Sequence, residues 1–215
     1  MKYLFGFGDS WPQGSELHPG DKTFIELLAE NKSLQFKNFA KPSTSIPHLI
    51  VQFNQAIRFA QSCGINTSEI LAVFFLTSPD RDLIWKNSDQ NLEIHLNPTH
   101  PEDKFWYTHI HTDYLVNYRI NTSLISLQSL CKFHGITDRY IWGWEKINLW
   151  PEIDQSKIHC TMIVDYFLDG QINTSQSIID YLYTSKNRYI WPNSGHPNQL
   201  GHEKIAEILA QWINL

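Results

Sequence analysis

Two short stretches at opposite ends of the chain hold residues able to do chemistry together. The first, Gly8-Asp-Ser10, closes the apolar run from Tyr3 to Phe7. A serine hydroxyl is a weak nucleophile near neutral pH unless another group takes its proton. The second, Asn193-Ser-Gly-His-Pro-Asn198, offers a base in His196, since imidazole titrates near neutrality and can relay a proton. A histidine in that role needs an acceptor for its second ring N–H. Asn193, three residues earlier, has an amide oxygen for this but no negative charge, and a main-chain carbonyl would also serve. Each stretch alone also reads as an ordinary polar turn.

The elements around them must bring the two together. Tyr3 to Phe7 reads as a strand, and Gly6 and Gly8 remove side-chain bulk where the chain has to turn. Asp9 and Ser10 then lie at a strand's carboxyl end, the edge of an open parallel sheet where ligands bind. Beyond Gly195, Pro197 suits the first turn of a terminal helix whose apolar side is Leu200, Ile205, Ile208, Leu209, Trp212 and Ile213. A helix N-terminus there would disfavour imidazolium and keep His196 neutral at rest.

Between these ends, Phe24, Leu27 and Leu28 recur at helical spacing, and residues 34–39 read as a second strand. Ser45 is expected to cap a helix with Ile46, Leu49, Ile50, Phe53, Ile57 and Ala60 on one stripe, ended by Gly64. Ile70 to Leu76 is continuously apolar, the mark of a strand buried on both faces. It runs into the polar loop Thr77-Ser-Pro-Asp-Arg81. From about 85 to 109 the pattern dissolves, which suggests a lid-like insertion. A long helix over about 110–133 follows, with Tyr114, Tyr118, Ile125 and Leu130 expected in the core. Strands are expected over 139–144 and 158–164, and a short helix over 178–183. Strands alternating with helices predict one doubly wound α/β domain over 1–215.

Composition supports this. The chain has 215 residues, is 42% hydrophobic with eight Trp, and carries a formal charge of −5. It forms no basic stripe, so nucleic acid is not an expected partner. Its three cysteines are far apart and suit a reducing compartment. No run approaches the length of a membrane span, and the first strand begins too early for a signal peptide. A cytoplasmic setting is expected.

Phe5-Gly-Phe-Gly-Asp-Ser-Trp11 and Asn193-Ser-Gly-His-Pro-Asn198 together resemble the first and last sequence blocks of the SGNH (GDSL-type) hydrolase family. That family has a Gly-Asp-Ser loop after the first strand and an Asp-x-x-His pair near the C-terminus. The resemblance implies a flavodoxin-like three-layer α/β/α sandwich with a five-stranded, mostly parallel sheet. It also implies a serine esterase working through an acyl-enzyme on Ser10, on a small-molecule ester, without metal or cofactor. The serine's place argues against the α/β-hydrolases, whose nucleophile sits in Gly-x-Ser-x-Gly.

Ser10, His196 and Asn193 are then the catalytic candidates. The oxyanion would fall to the N–H groups of Ser10 and Ser43, with the Ser78 hydroxyl. Asp9, Trp11, Arg81, Trp85 and Trp106 are candidate substrate contacts, and Phe105 and Tyr107 could join the last two as a roof. Two departures stand out besides Asn193. Ser43 occupies the place of a family glycine, and Thr77-Ser-Pro-Asp-Arg81 lacks the oxyanion asparagine of Gly-x-Asn-Asp. Losing one such donor lowers rate by about 10²–10³. The alternatives are therefore an acyltransferase or a silent relative that binds a small ligand or glycan. His95, His100, His109 and His111 read as loop histidines more than as a metal site.

Overall fold

Strand β1 (Tyr3–Phe7) lies inside a parallel sheet of order β2-β1-β3-β6, with β2 at Gln35–Asn38, β3 at Ile70–Leu76 and β6 at Thr137–Trp142. The computed structural model describes residues 1–87, 92–96, 104–167, 188–191 and 195–214, with only the backbone of 82–87 and 92–96. The pleat sends alternate side chains of each strand to opposite faces. Phe5, Phe7, Ala72, Phe74, Leu76, Tyr140 and Trp142 therefore enter one core. Leu4, Leu71, Val73, Phe75 and Ile141 enter the other. This is why β3 reads as one unbroken apolar run: all seven of its residues are buried.

Helices α3 (Leu49–Ser62) and α5 (Asp113–His134) cover the first face. Helices α2 (Phe24–Asn31), α6 (Ile163–Phe167) and α7 (Gln199–Trp212) cover the second. Local chemistry sets their ends. Thr23 and Glu26 form a reciprocal capping box on α2. Thr112 caps α5, and Gly135 closes it at φ 68°. Helix α3 begins at Leu49, not at Ser45, because residues 45–48 form a turn in which Ser45 O accepts from His48 N.

Ile125 and Leu130 pack partly buried against the first core, as expected, but the buried stripe of α5 differs from the expected one at the tyrosines. Val116, Ile120, Leu124, Leu127 and Cys131 face the core, whereas Tyr114 is 80% and Tyr118 47% exposed. Branched side chains at 3–4-residue spacing took the core face, and the larger tyrosines were left outside. Leu200, expected on the inner side of α7, is likewise exposed.

Among the described residues the parallel sheet has four strands. The expected strand over 158–164 contributes one parallel bridge, Tyr140 to Ile158, with His159 N donating to Tyr140 O. The chain then enters α6. Within the stretch expected to be irregular, β4 (Asp82–Asn87) and β5 (Leu92–Leu96) pair antiparallel, and α4 spans Lys104–His109. The expected helix over 178–183 lies outside the described residues.

Candidate active site

Ser10 opens α1 (Ser10–Gln13), a single turn directly after β1. Gly8 makes that turn possible. Its φ is 145°, and a Cβ there would stand 2.6 Å from Pro12 Cγ and 2.9 Å from Phe75 Cβ. Asp9 is fully buried and caps α1, its Oδ1 accepting from Trp11 N at 3.0 Å. Asp9 Oδ2 accepts from Thr77 Oγ1 at 2.5 Å and from Arg81 Nη1 at 2.9 Å. The carboxylate thus fastens the serine turn to the loop after β3. Arg81, a candidate for holding a substrate, is engaged by Asp9.

A second tie comes from Gln52 on α3. Its Oε1 accepts from Gly8 N at 3.0 Å, and its Nε2 donates to Gly8 O and to Thr44 Oγ1. Lys41 N also donates to Gly8 O. The loop carrying Ser43 is held against the serine turn by these bonds. Ser43 adopts φ 59°, the left-handed region glycine enters at least cost. The backbone therefore keeps a glycine-like shape where the resemblance expects glycine.

The third approach is from the C-terminal end. Ile190 and Pro197 form an antiparallel bridge, Trp191 N donates to His196 O, and Asn198 N donates to Tyr189 O. Asn198, not Pro197, starts the terminal helix: its Oδ1 accepts from Gly201 N at 3.1 Å. His196 lies two residues before that cap. Its Nδ1 is 3.4 Å from Glu16 Oε1, in the loop that follows α1. The His18 ring meets Trp191 edge-on at 5.1 Å, and Lys22 N donates to Gln199 Oε1. Residues 14–22 are thus held against Trp191 and against residues 195–199.

His202 on α7 completes this seam. It is buried, and its Nδ1 accepts from Phe24 N at 3.1 Å. Burial, with a smaller contribution from His196, pushes its pKa down to about 4. It is neutral at working pH.

Other candidates fall elsewhere. Trp11 is 2% exposed and packs among Phe75, Trp144 and Phe167, so it builds core and offers no surface to a ligand. Asp9, equally buried, acts on the site from behind. Ser78 is half-buried, in the loop anchored by Asp9 through Thr77 and Arg81. The Trp106 ring lies under Arg119 at 5.5 Å, and Tyr107 Oη donates to Asp80 O. The side chain of Trp85, and Asn193 altogether, lie outside the described residues. Of His95, His100, His109 and His111, the last lies 3.4 Å from Asp80. No three metal-ligating side chains gather among the described residues.

Sequence reasoning missed Gln52, Thr77, Glu16 and His202. A glutamine on an otherwise apolar helix stripe was the available signal for Gln52. Glu16 had none, because its partner His196 stands at the far end of the chain.

No family model and no curated protein matches this chain by sequence. Solved structures do. The chain is similar to a lipolytic-type protein of the G-D-S-L family from Desulfitobacterium hafniense, with TM-score 0.51 and 10% identity over 99% of this chain and 100% of that one. It is also similar to an acetyl xylan esterase, Est2A, from Butyrivibrio proteoclasticus, with TM-score 0.50 and 11% identity. That match spans 98% of this chain and 63% of the esterase. The chain has the α/β fold of the SGNH (GDSL-type) hydrolases. Among the described residues no helix is long and apolar enough to cross a membrane.

Proposed function

We propose that the protein is a serine hydrolase that cleaves an ester through an acyl-enzyme on Ser10. One observation supports the reading: Glu16, in the loop that follows the Ser10 turn, lies 3.4 Å from His196 Nδ1, although the two residues come from opposite ends of the sequence. In the proposed cycle Ser10 Oγ bonds to the acyl carbon while its proton passes to His196 Nε2. The oxyanion is held by the N–H groups of Ser10 and Ser43 and by the Ser78 hydroxyl. Ser10 N, at the first position of a helix, has no partner within that helix. Collapse breaks the ester C–O bond, and His196 returns the proton to the leaving alkoxide. Water then repeats the sequence on the acyl-enzyme.

Acetyl and other short acyl groups on a carbohydrate or lipid are the proposed substrates, and Trp85 and Trp106 are proposed to contact them. An acyltransferase would use the same intermediate with an alcohol replacing water. The loop Thr77-Ser-Pro-Asp-Arg81, with no asparagine and its arginine bound to Asp9, favours a second reading, a ligand- or glycan-binding relative with a silent centre.

Intact-mass analysis after treatment with a phosphonate ester separates these readings. A single adduct on Ser10, absent in Ser10→Ala, together with hydrolysis of a short activated ester lost in the same variant, is the expected result. Hydrolysis that persists in Ser10→Ala removes the nucleophile assignment. Neither adduct nor hydrolysis across several acyl lengths leaves the binding reading.

A further inference from the structure

We propose that Glu16 is the carboxylate that orients His196 and balances its charge, in place of an acid at position 193; this rests on the hydrolase reading above. The two groups are 3.4 Å apart, His196 Nδ1 to Glu16 Oε1. At that separation a carboxylate attracts imidazolium directly, and a small ring rotation closes a charge-assisted hydrogen bond. With Nδ1 turned toward Glu16, Nε2 is the nitrogen left for proton transfer.

The backbone of this loop is shaped to hold the contact. Glu16 adopts φ 69°, a conformation costly for a residue with a Cβ and often kept where a side chain must be aimed. Gly14, at φ 84°, closes α1 by donating to Ser10 O and Trp11 O. Ser15 N also donates to Ser10 O, and Leu17 N to Gly14 O. The His18 ring on Trp191, whose N–H donates to His196 O, pins the far end of the loop near His196. The carboxylate is thus positioned by the same turn that positions Ser10. An Asp-x-x-His pattern would instead take its acid from the histidine's own loop.

Charge favours the assignment as well. Glu16, from the loop after α1, faces His196 Nδ1, and His202, from α7, lies near it. His202 is buried, and its Nδ1 is occupied by Phe24 N. Glu16 therefore supplies the negative charge that Asn193 lacks. During attack the Ser10 proton moves to Nε2, and Nδ1–H stays on the ring and donates to Glu16, which remains ionised. Glu16 is 46% exposed and His196 24%, so screening makes the effect smaller than that of a buried acid.

The test is an NMR titration of His196 in the full chain and in Glu16→Gln, alongside pH–rate profiles on a short activated ester. Glu16→Gln should change the His196 ring chemical shifts and their response to pH, because the partner at Nδ1 loses its charge. It should lower kcat about tenfold with KM unchanged. Asn193→Asp in the Glu16→Gln background should reverse most of both changes, which a merely structural role for Glu16 would not produce. An unchanged His196 titration and kcat in Glu16→Gln overturn the proposal, as does a loss that Asn193→Asp leaves unrepaired. If the titration shifts as expected but the native protein hydrolyses no ester, the pairing stands and the hydrolase reading fails. Ser10-dependent hydrolysis with an unmoved titration removes the pairing and keeps the hydrolase reading.

Discussion

At the residue scale, the candidate site is built on a carboxylate with no exposed surface. Asp9 accepts hydrogen bonds from Trp11 N, Thr77 Oγ1 and Arg81 Nη1 while fully buried. A buried charge survives only when its lone pairs are occupied, so removing one donor costs more than the bond itself is worth. Arg81→Met should therefore lower stability by about 2 kcal/mol, read as a lower urea midpoint, and should slow any Ser10-dependent reaction. An unchanged midpoint would show that Thr77 and Trp11 suffice. Ser43 makes the opposite case. Its left-handed backbone is strained by its Cβ, so Ser43→Gly should raise stability by about 0.5–1 kcal/mol after glycine's entropy cost is subtracted. Lower stability in Ser43→Gly would mean that the serine side chain holds the loop. Asp9 and Ser43 were readable as candidate residues from their motifs. Their roles were not, because two of the partners of Asp9 come from the distant loop after β3.

At the element scale, what counts is how turns and helix ends are joined. Gly8 has no room for a methyl group and holds a φ that residues with a Cβ avoid. Gly8→Ala should cost at least about 2 kcal/mol and displace Ser10, so thermal stability and phosphonate labelling should fall together. Helices α2 and α7 meet at His202, whose Nδ1 accepts from the first N–H of α2. That bond requires a neutral ring. The folded pKa is about 4, against about 6.5 in the unfolded chain. Between those values the unfolded state binds more protons. The stabilisation is therefore complete above about pH 6.5 and is lost as pH falls toward 4, at up to about 1.4 kcal/mol per pH unit. In His202→Asn, whose Oδ1 can replace Nδ1, a plot of stability against pH should be flatter over that window. An equally steep plot would assign the acid sensitivity to another group.

At the scale of the whole molecule, β3 carries the two cores at once. Val73 and Phe75 belong to one and Ala72 and Phe74 to the other, all of them buried. Phe74 also stacks on Phe7 at 4.5 Å and on Tyr140 at 4.9 Å, which joins three strands through one ring. Phe74→Ala should destabilise the fold by about 3–5 kcal/mol, measured by chemical unfolding. A loss under about 1 kcal/mol would mean that the neighbouring rings close the cavity.

The sequence by itself determined the class of architecture, since apolar period distinguishes a buried strand from an amphipathic helix without any knowledge of partners. It also marked the serine turn and the histidine loop, because their residue types carry chemistry wherever they stand. It did not determine which face of α5 turns inward, where branched side chains prevailed over the larger tyrosines. Nor did it reveal that Asp9 and Arg81 would be used on each other, or that Glu16 would lie beside His196. Those pairings join positions far apart in the chain. They exist only once the sheet and its loops set the distances, and attraction between charges depends on distance in space rather than separation in sequence.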